Sequence, residues 1–313
     1  MIVTAPNRAT GIVGARGFIG SYLSRYVASR TTDKLRLLTR NTEGFEGVIT
    51  AEVMNGDLMF RSDCERFAGD LKLIYYLAHK NSPIDSDLDM PNDALVNLVP
   101  LLNLLQTIES LKTVPHLVYF SSGGGIYKRK KKLIPYGETD SCEPSSSYGI
   151  QKLAAEQYLR LAADKGYLTA TVLRVGNAYG SPHSEFRRQG LIGVATSSVL
   201  KGNPVRIFGN PSNVRDYIHL EDISDVAVRA GKFNESFNVF NVGSGVGHSV
   251  LDVVRTIGEC RGEPVQIVSN SDLGGRLTDW VVLDITKARA AFAWTPTIDL
   301  RSGISRMLSE RAE

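Results

Sequence analysis

The sequence has few of the residues from which disulfide-rich and metal-binding proteins are built. Its 313 residues include three cysteines, Cys64, Cys142 and Cys260, which lie far apart and form no CxxC pair. The five histidines show no metal-ligand spacing such as HxxxH. We therefore expect no disulfide framework, no metal site and a reducing compartment, the cytoplasm.

The sequence also lacks any concentration of charge or hydrophobicity. With 36 basic and 33 acidic residues the formal net charge is +3, which gives no electrostatic argument for nucleic-acid binding. The charged run Lys128–Lys132 predicts a solvated loop, and contact with a membrane or polyanion is the less favoured alternative. The N-terminal residues lack the apolar segment of a signal peptide, and the longest apolar-rich stretch, Ala94–Leu105, is short and interrupted by polar residues. We expect no nucleic-acid partner and no membrane segment.

What the chain does contain is a regular alternation of strand-like and helix-like segments. Apolar strands are predicted at Thr10–Val13, Leu35–Thr39, Leu71–Ala78, Leu117–Ser121 and Thr169–Val175, and helices at Phe18–Arg30, Ala94–Leu111 and Tyr148–Lys165. This order predicts an α/β fold with a doubly wound, parallel Rossmann sheet.

The length and a change of pattern near residue 176 predict two domains. A chain of 313 residues is too long for one small core. We predict a dinucleotide-binding domain at residues 1–175, to which a later strand near 216–243 returns. Residues 176–313 would mainly form a smaller substrate-binding domain.

A glycine triplet lies where the first predicted strand meets the first helix. Gly14, Gly17 and Gly20 form GxxGxxG, with Phe18 and Ile19 opening the helix. The first glycine allows a sharp turn, the second a close approach of the backbone to a pyrophosphate, and the third close helix–sheet packing. An ordinary strand–helix turn needs one glycine, so the triplet in this context predicts a dinucleotide site.

The end of the second strand bears on the choice of cofactor. An NAD site usually has an acidic residue there, whereas this chain has Thr39 followed by Arg40, whose guanidinium suits a 2′-phosphate. NADP(H) is therefore somewhat favoured over NAD(H), although Arg40 could instead lie along the adenine. Asp57, with Leu58 beside it, follows a further predicted strand that lies between Leu35–Thr39 and Leu71–Ala78 and counts as the third. Asp57 could contact the adenine amine or only shape a turn.

Tyr148 and Lys152 are the predicted reaction centre. Their spacing of four places both side chains on one face of the long helix, for which Ser147 is a plausible N-cap and Gly166 a stop. A phenol of pKa ~10 needs roughly 4 kcal/mol of differential stabilisation to become a base at neutral pH. A lysine ammonium and an oxidised nicotinamide could supply it, so that Tyr148 exchanges a proton with a substrate hydroxyl.

At this point the chain resembles a known family. The segments TGIVGARGFIG, SSGGGIY, YGIQK, RVGNAYG and VRDYIHLEDI occur in the order and spacing of the extended short-chain dehydrogenases/reductases of the NAD-dependent epimerase/dehydratase family, to which the UDP-glucose 4-epimerases belong. The resemblance continues to RLTDWVVLDITKARAAFAWTP and covers nearly the whole chain.

The resemblance implies roles for individual residues. Tyr148 would be the catalytic acid/base and Lys152 its partner, both also touching the cofactor. Ala78 would lie against the cofactor, and Asn97 would support the site from the next helix. A set of three would contact the diphosphate of a nucleotide sugar: Asn177, Arg215 and Arg276. Turn packing for the asparagine and surface ion pairs for the arginines are the alternatives.

The chain departs from the family pattern at Thr39-Arg40, described above, and in the loop that follows the predicted strand Leu117–Ser121. The family has Ser or Thr where this chain has Gly123, so Ser121 or Ser122 would take over the contact with the sugar hydroxyl. The 4,6-dehydratases of the family have Asp-Glu where this chain has Gly124 and Gly125, which argues against a dehydratase.

Three functions remain open from the sequence. The first is a UDP-hexose 4-epimerase of polysaccharide sugar biosynthesis, which is favoured because such enzymes are common in the family that the chain resembles. The second is an NADPH-dependent 4-ketoreductase of a nucleotide-linked 4-keto-6-deoxy sugar, which Arg40 favours. The third is a non-catalytic NAD(P)-binding scaffold. The resemblance and the leucine-rich helix Ala94–Leu111 further predict a homodimer.

Overall fold

A computed structural model of the chain describes residues 9–43, 45, 51–80, 85–130, 132–180, 190–207, 209–233, 235–269 and 279–309. Its elements in chain order are β1 (Ala9–Val13), α1 (Phe18–Ala28), β2 (Leu35–Thr39), β3 (Ala51–Asn55), α2 (Arg61–Ala68), β4 (Leu71–Tyr76), α3 (Met90–Asn97), α4 (Val99–Leu111), β5 (His116–Ser122), α5 (Ser147–Asp164), β6 (Thr169–Val175), β7 (Asn177–Tyr179), α6 (Leu191–Leu200), β8 (Val205–Ile207), β9 (Val214–His219), α7 (Leu220–Ala230), β10 (Phe237–Val242), β11 (Gly247–Ser249), α8 (Val250–Arg261), β12 (Ile267–Ser269), β13 (Trp280–Val281), α9 (Thr286–Phe292) and α10 (Leu300–Ser309).

The chain divides into two compact units. The first comprises Met1–Ile126, Pro144–Arg174 and Ser224–Phe240, and the second comprises Tyr127–Glu143, Val175–Ile223 and Asn241–Glu313. The sequence-based division at residue 175 leaves Tyr127–Glu143 in the first domain, whereas the structure assigns that segment to the second unit.

A seven-stranded sheet of order β10-β6-β5-β4-β1-β2-β3 forms the centre of the first unit. The ladders that join β3, β2, β1, β4 and β5 are parallel, as the fold-class prediction requires. The chain runs outward from β1 to β3 and then returns to β4 on the other side of β1. In sheets of this kind ligands bind outside the carboxyl ends of the strands at such a switch point.

The helix predicted at Ala94–Leu111 differs from the prediction at its start and in its middle. It begins earlier, because the Asp89 side chain caps the backbone N–H of Asn92 at 3.3 Å and Pro91 occupies the first turn. It is interrupted at Leu98, because Pro100 has no N–H to donate and its ring crowds the preceding turn. The result is two helices, α3 and α4.

Together α3 and α4 make Met90–Leu111 long and apolar enough to cross a membrane by length and composition alone. A packed helix of a globular unit passes the same test. Here Leu101, Leu104 and Ile108 lie in the core of the first unit, and Asn103 donates to the carbonyl of Leu58 at 2.9 Å. These contacts are those of a helix packed against the core of a globular unit.

The second unit has its own sheets and core. Strand β9 pairs with β7, β11 and β13, and β8 pairs with β12. Its buried residues include Tyr179, Ile192, Tyr217, Ile257 and Met307. The predicted returning strand near 216–243 corresponds to β10, whereas β9 belongs to the second unit.

The three cysteines are free, and within the described ranges no cluster of three or more His, Cys, Asp and Glu could hold a metal ion.

Candidate active site

The glycine loop forms a backbone cradle at the carboxyl end of β1. Gly14 has a φ of +85°, and a Cβ there would lie 2.7 Å from the backbone nitrogen of Ala78. A Cβ at Gly20 would collide with the carbonyl of Gly14, and Gly17 closes the turn by donating to that same carbonyl at 2.8 Å. Helix α1 begins at Phe18 without a side-chain cap from any described residue, which leaves its first N–H groups for an anion. The loop therefore fits a dinucleotide pyrophosphate.

The end of β2 carries positive charge. The hydroxyl of Thr39 is engaged locally, since it donates to the carbonyl of Asn41 at 2.7 Å. Arg40 is exposed and has no ion-pair partner among the residues the structure describes. Arg16 of the glycine loop, which is not predicted from the sequence, reaches the same turn through the carbonyl of Asn41 at 3.5 Å. Two guanidinium groups thus flank the end of β2.

Asp57 follows β3 and has a role in its own turn. Its Oδ1 accepts from the backbone N–H of Met59 at 3.0 Å, and its own N–H donates to Asp63 at 2.8 Å. Leu58 is buried beside it. This is the turn role that sequence reasoning left open, and the adenine contact stays a prediction.

Helix α5 places Tyr148 in its first turn. The cap is Ser146, whose hydroxyl accepts from the backbone N–H of Gly149 at 3.3 Å, so the prediction of Ser147 is wrong by one residue. A Cβ at Gly149 would collide with the carbonyl of Gly125, so the helix start packs directly on the loop after β5. The predicted stop Gly166 has a φ of +74°, which explains why the helix ends there.

Tyr148 lies beside Ser122. Burial raises the pKa of the Tyr148 phenol, and a hydrogen bond with the Ser122 hydroxyl opposes that rise. Ser122 also accepts from the backbone N–H of Gly125 at 3.1 Å. A Cβ at Gly125 would lie 3.1 Å from Oγ of Ser122 and 3.2 Å from the Tyr148 ring, so a side chain at this position would crowd the pair.

Ser121 lies in a different environment. It is buried and donates to the Glu156 carboxylate at 2.5 Å. The Glu156 carboxylate also forms a buried ion pair with Arg174, with a nitrogen–oxygen distance of 2.7 Å. Of the two serines, the structure brings Ser122 and not Ser121 to Tyr148.

Lys152 is buried one turn after Tyr148. Its Nζ donates to the carbonyl of Phe120 at 2.8 Å and lies 5.8 Å from the centre of the Tyr148 ring. Burial lowers the pKa of Lys152 to about 7, and the Glu156 carboxylate opposes that shift. In the ligand-free protein at neutral pH this lysine is therefore only partly charged.

The segment after β4 completes this group. Ala78 lies against Gly14, and the next residue, His79, meets the Tyr148 ring edge-on, with centroids 4.7 Å apart and an interplanar angle of 84°. The predicted supporting residue Asn97 holds the segment in place, since its Oδ1 accepts from the backbone N–H of Lys80 at 2.7 Å. His79 is not predicted from the sequence, where its only signal is its place directly after Ala78.

A buried carboxylate ties α3 to α5. Asp93 accepts from Asn97 at 2.8 Å, from the Ser147 hydroxyl at 2.9 Å and from the Gln151 amide. Ser147 and Gln151 directly precede Tyr148 and Lys152, so this network fixes the helix that carries the reacting groups. Asp93 is also not predicted from the sequence.

The predicted diphosphate contacts belong to the second unit. Arg215 on β9 forms an ion pair with Asp279 at 2.6 Å, which agrees with the ion-pair alternative. Asp279 forms a second ion pair with Arg129 at 3.1 Å. Asn177 is exposed at the start of β7. Arg276 lies outside the described residues.

Comparison with known proteins gives consistent matches. The chain matches the sequence profile of the NAD dependent epimerase/dehydratase family over residues 11–243. It is 30% identical over 312 residues to a UDP-glucose 4-epimerase of Mycolicibacterium smegmatis, which covers 95% of this chain and 96% of the relative. It is 26% identical over 239 residues to a dTDP-4-dehydro-6-deoxyglucose reductase of Escherichia coli, which covers 76% and 74%.

Solved structures share the fold over nearly the whole chain. The UDP-glucose 4-epimerase of Thermotoga maritima with UDP-glucose has a TM-score of 0.87 and 27% identity, with 97% and 98% of the two chains covered. The UDP-glucose 4-epimerase of Thermus thermophilus in complex with NAD has a TM-score of 0.82 and 26% identity, with 96% and 98% covered.

Proposed function

The chain belongs to the NAD-dependent epimerase/dehydratase family, and from this we propose that it is a UDP-hexose 4-epimerase that transfers hydride at C4 of a nucleotide-diphospho-sugar. The observation that carries the proposal is the grouping of Ser122, Tyr148 and the buried Lys152 next to a backbone loop shaped for a pyrophosphate. A bound nicotinamide dinucleotide would supply the acceptor and donor of the hydride.

The chain's own residues handle the proton. Tyr148 takes the proton of the substrate's C4 hydroxyl through its phenol oxygen as C4 is oxidised, and returns it when the other face is reduced. Ser122 favours the phenolate by donating to its oxygen. Lys152, when protonated, favours the phenolate through its charge.

Cofactor binding would rest on the glycine loop and the ends of β2 and β4. Gly14, Gly17 and Gly20, with Phe18 and Ile19, would hold the pyrophosphate. The preference for NADP(H) is supported by the exposed Arg40 and by Arg16, which reaches the same turn. Cofactor contacts of Ala78 and Asn97 are what the family resemblance implies, and those of Thr39, Asp57 and Leu58 are proposed from their places at the ends of β2 and β3.

The nucleotide-sugar diphosphate would be bound by Asn177, Arg215 and Arg276. Arg215 already forms an ion pair with Asp279, so in this proposal its guanidinium contacts both Asp279 and the diphosphate. The 30% identical relative is a UDP-glucose 4-epimerase and the reductase relative is 26% identical, which favours UDP as the nucleotide.

A 4-ketoreductase is the second candidate. It is favoured by the same two arginines, because a reductase consumes NADPH, and by the similarity to the Escherichia coli reductase.

A second copy of the chain is the proposed partner. Helices α3 and α5 turn apolar side chains outward, at Leu95, Ile150, Tyr158 and Leu161, which are 48%, 56%, 41% and 49% exposed. Those on α5 are spaced by eight and three residues and form one stripe, which a homodimer would cover.

The test is to denature the purified protein, identify any released dinucleotide by mass, and assay the native protein in parallel. Turnover of UDP-galactose without added cofactor supports the epimerase. NADPH oxidation with a nucleotide-linked 4-keto sugar would replace it with the reductase. Dinucleotide binding with neither reaction would contradict both and leave the scaffold.

A further inference from the structure

His79 lies in the reaction site without a role in the chemistry described so far. It follows Ala78 just after β4, and its ring makes a T-shaped contact with the Tyr148 ring at a centroid distance of 4.7 Å. Among the described residues, the charged and titratable groups that face it are Tyr148 and Lys152.

The imidazole is neutral, and one of its nitrogens is unsatisfied. Burial, reinforced by Lys152, lowers the pKa of His79 to about 2, so this residue carries no charge at working pH. Its Nε2 is buried and has no hydrogen-bond partner among the described residues. Buried polar atoms in proteins are nearly always paired, because leaving one unpaired is destabilising. A leucine or phenylalanine would avoid this penalty in the ligand-free protein.

The position of β4 indicates what pairs with Nε2. Strand β4 lies between β1 and β5. A dinucleotide whose pyrophosphate rests on the loop after β1, and whose reactive ring reaches Tyr148 beside β5, must therefore pass over the end of β4. That end is where Ala78 and His79 lie.

We propose that His79 is a neutral hydrogen-bonding residue for the nicotinamide half of the dinucleotide, with Nε2 bonded to an oxygen of the nicotinamide riboside. The proposal rests on the proposed function, since it requires a nicotinamide dinucleotide on the glycine loop. It adds a positioning residue that holds the reactive half of the cofactor against Tyr148.

The test compares two variants by fluorescence titration with NADH and NADPH. His79→Phe keeps an aromatic edge against Tyr148 but removes the nitrogen, and we expect it to weaken the tighter dinucleotide about 3- to 10-fold, as for one neutral hydrogen bond. His79→Gln carries an amide to the position of Nε2, and we expect affinity within about 2-fold of wild type. ADP, which lacks the nicotinamide riboside, should bind all three proteins equally by competition.

The thermal unfolding midpoint of the ligand-free proteins separates binding from structure. We expect His79→Phe to unfold at or above the wild-type temperature, and His79→Leu serves as the smaller replacement if phenylalanine is too large. The proposal would be overturned if His79→Phe bound the dinucleotide with wild-type affinity, or if His79→Gln lost as much dinucleotide affinity as His79→Phe. It would also be overturned by a matching loss of ADP affinity or by a lowered unfolding midpoint in both apolar variants. Failure of the wild-type protein to bind either dinucleotide would instead refute the proposed function itself.

Discussion

Removing the Ser122 hydroxyl is the most direct perturbation of the proposed proton transfer. Ser122→Ala deletes a hydrogen bond that favours the phenolate of Tyr148. Hydrogen bonds to charged groups are worth about 1.5–3 kcal/mol, so kcat should fall about 10- to 150-fold. Because the bond lowers the pKa of Tyr148, its loss raises that pKa, and the pH at which the rate rises should move upward. Steady-state turnover of UDP-galactose between pH 6 and 9 measures both effects.

Ser121→Ala is the matched control, one residue away on the same strand. Its hydroxyl donates to Glu156, which keeps its ion pair with Arg174 in the variant. We expect a loss of about 1 kcal/mol in the free energy of unfolding, with kcat and the pH profile nearly unchanged. Equal losses of kcat in the two variants, or wild-type turnover in Ser122→Ala, would refute the assignment of Ser122.

Four further results are expected. Tyr148→Phe should keep its fold and dinucleotide affinity but lose at least ~100-fold in kcat, and near-normal turnover would exclude it as the acid/base. Arg40→Ala should weaken NADP(H) roughly 10- to 150-fold in a fluorescence titration and leave NAD(H) unchanged, whereas an equal, small effect would contradict the 2′-phosphate contact. Burial lowers the pKa of His116 to about 4. The unfolded chain therefore binds a proton below pH ~6.5 that the folded chain does not, and stability present above that pH is lost as the pH falls. At pH 5 the lost stability amounts to about 2 kcal/mol in the free energy of unfolding. Urea unfolding at pH 7.5 and pH 5 measures the difference in this free energy, and His116→Gln should make that difference smaller by the same amount. The wild-type chain should be a dimer by light scattering at micromolar concentration and Leu161→Asp a monomer, and a wild-type monomer would rule out the apolar stripe as an interface.

Most of the central sheet is predictable from the sequence because β1, β2, β5 and β6 are short apolar runs buried on both faces. Leu35–Thr39 and Thr169–Val175 are predicted with the bounds that the structure has. Helix boundaries are less predictable. The earlier start of α3 is signalled by Asp89-Met90-Pro91, and the break before Pro100 follows from proline geometry. Both signals are weaker than the apolar pattern from Ala94 to Leu111, which predicts one uninterrupted helix.

The assignment of Tyr127–Glu143 to the second unit has no local signal. It depends on contacts far apart in sequence, such as the hydrogen bond from the Tyr127 hydroxyl to Asn241 at 2.6 Å. The choice of Ser146 over Ser147 as the helix cap is similar, since Ser147 is instead drawn to the buried Asp93.

The choice between Ser121 and Ser122 illustrates what spacing can and cannot predict. Successive side chains on a strand point to opposite faces, so only one of two adjacent serines can reach Tyr148. Which one does so depends on how α5 lies on the sheet, and that is a tertiary property. Tyr148 and Lys152 are predictable because both lie on one helix, whereas His79 reaches them from another strand.

The burial of Lys152 changes how Tyr148 is activated. From the sequence, two full positive charges are expected near the phenol, but burial lowers the pKa of Lys152 to about 7 while it raises that of Tyr148. Each charge depends on the other, because a phenolate stabilises the ammonium and an ammonium stabilises the phenolate. Glu156, itself paired with Arg174, adds the negative charge that keeps Lys152 protonated more often. The proton lost near neutral pH therefore belongs to the Tyr148–Lys152 pair, and the pKa read from a pH–rate profile is a property of both residues.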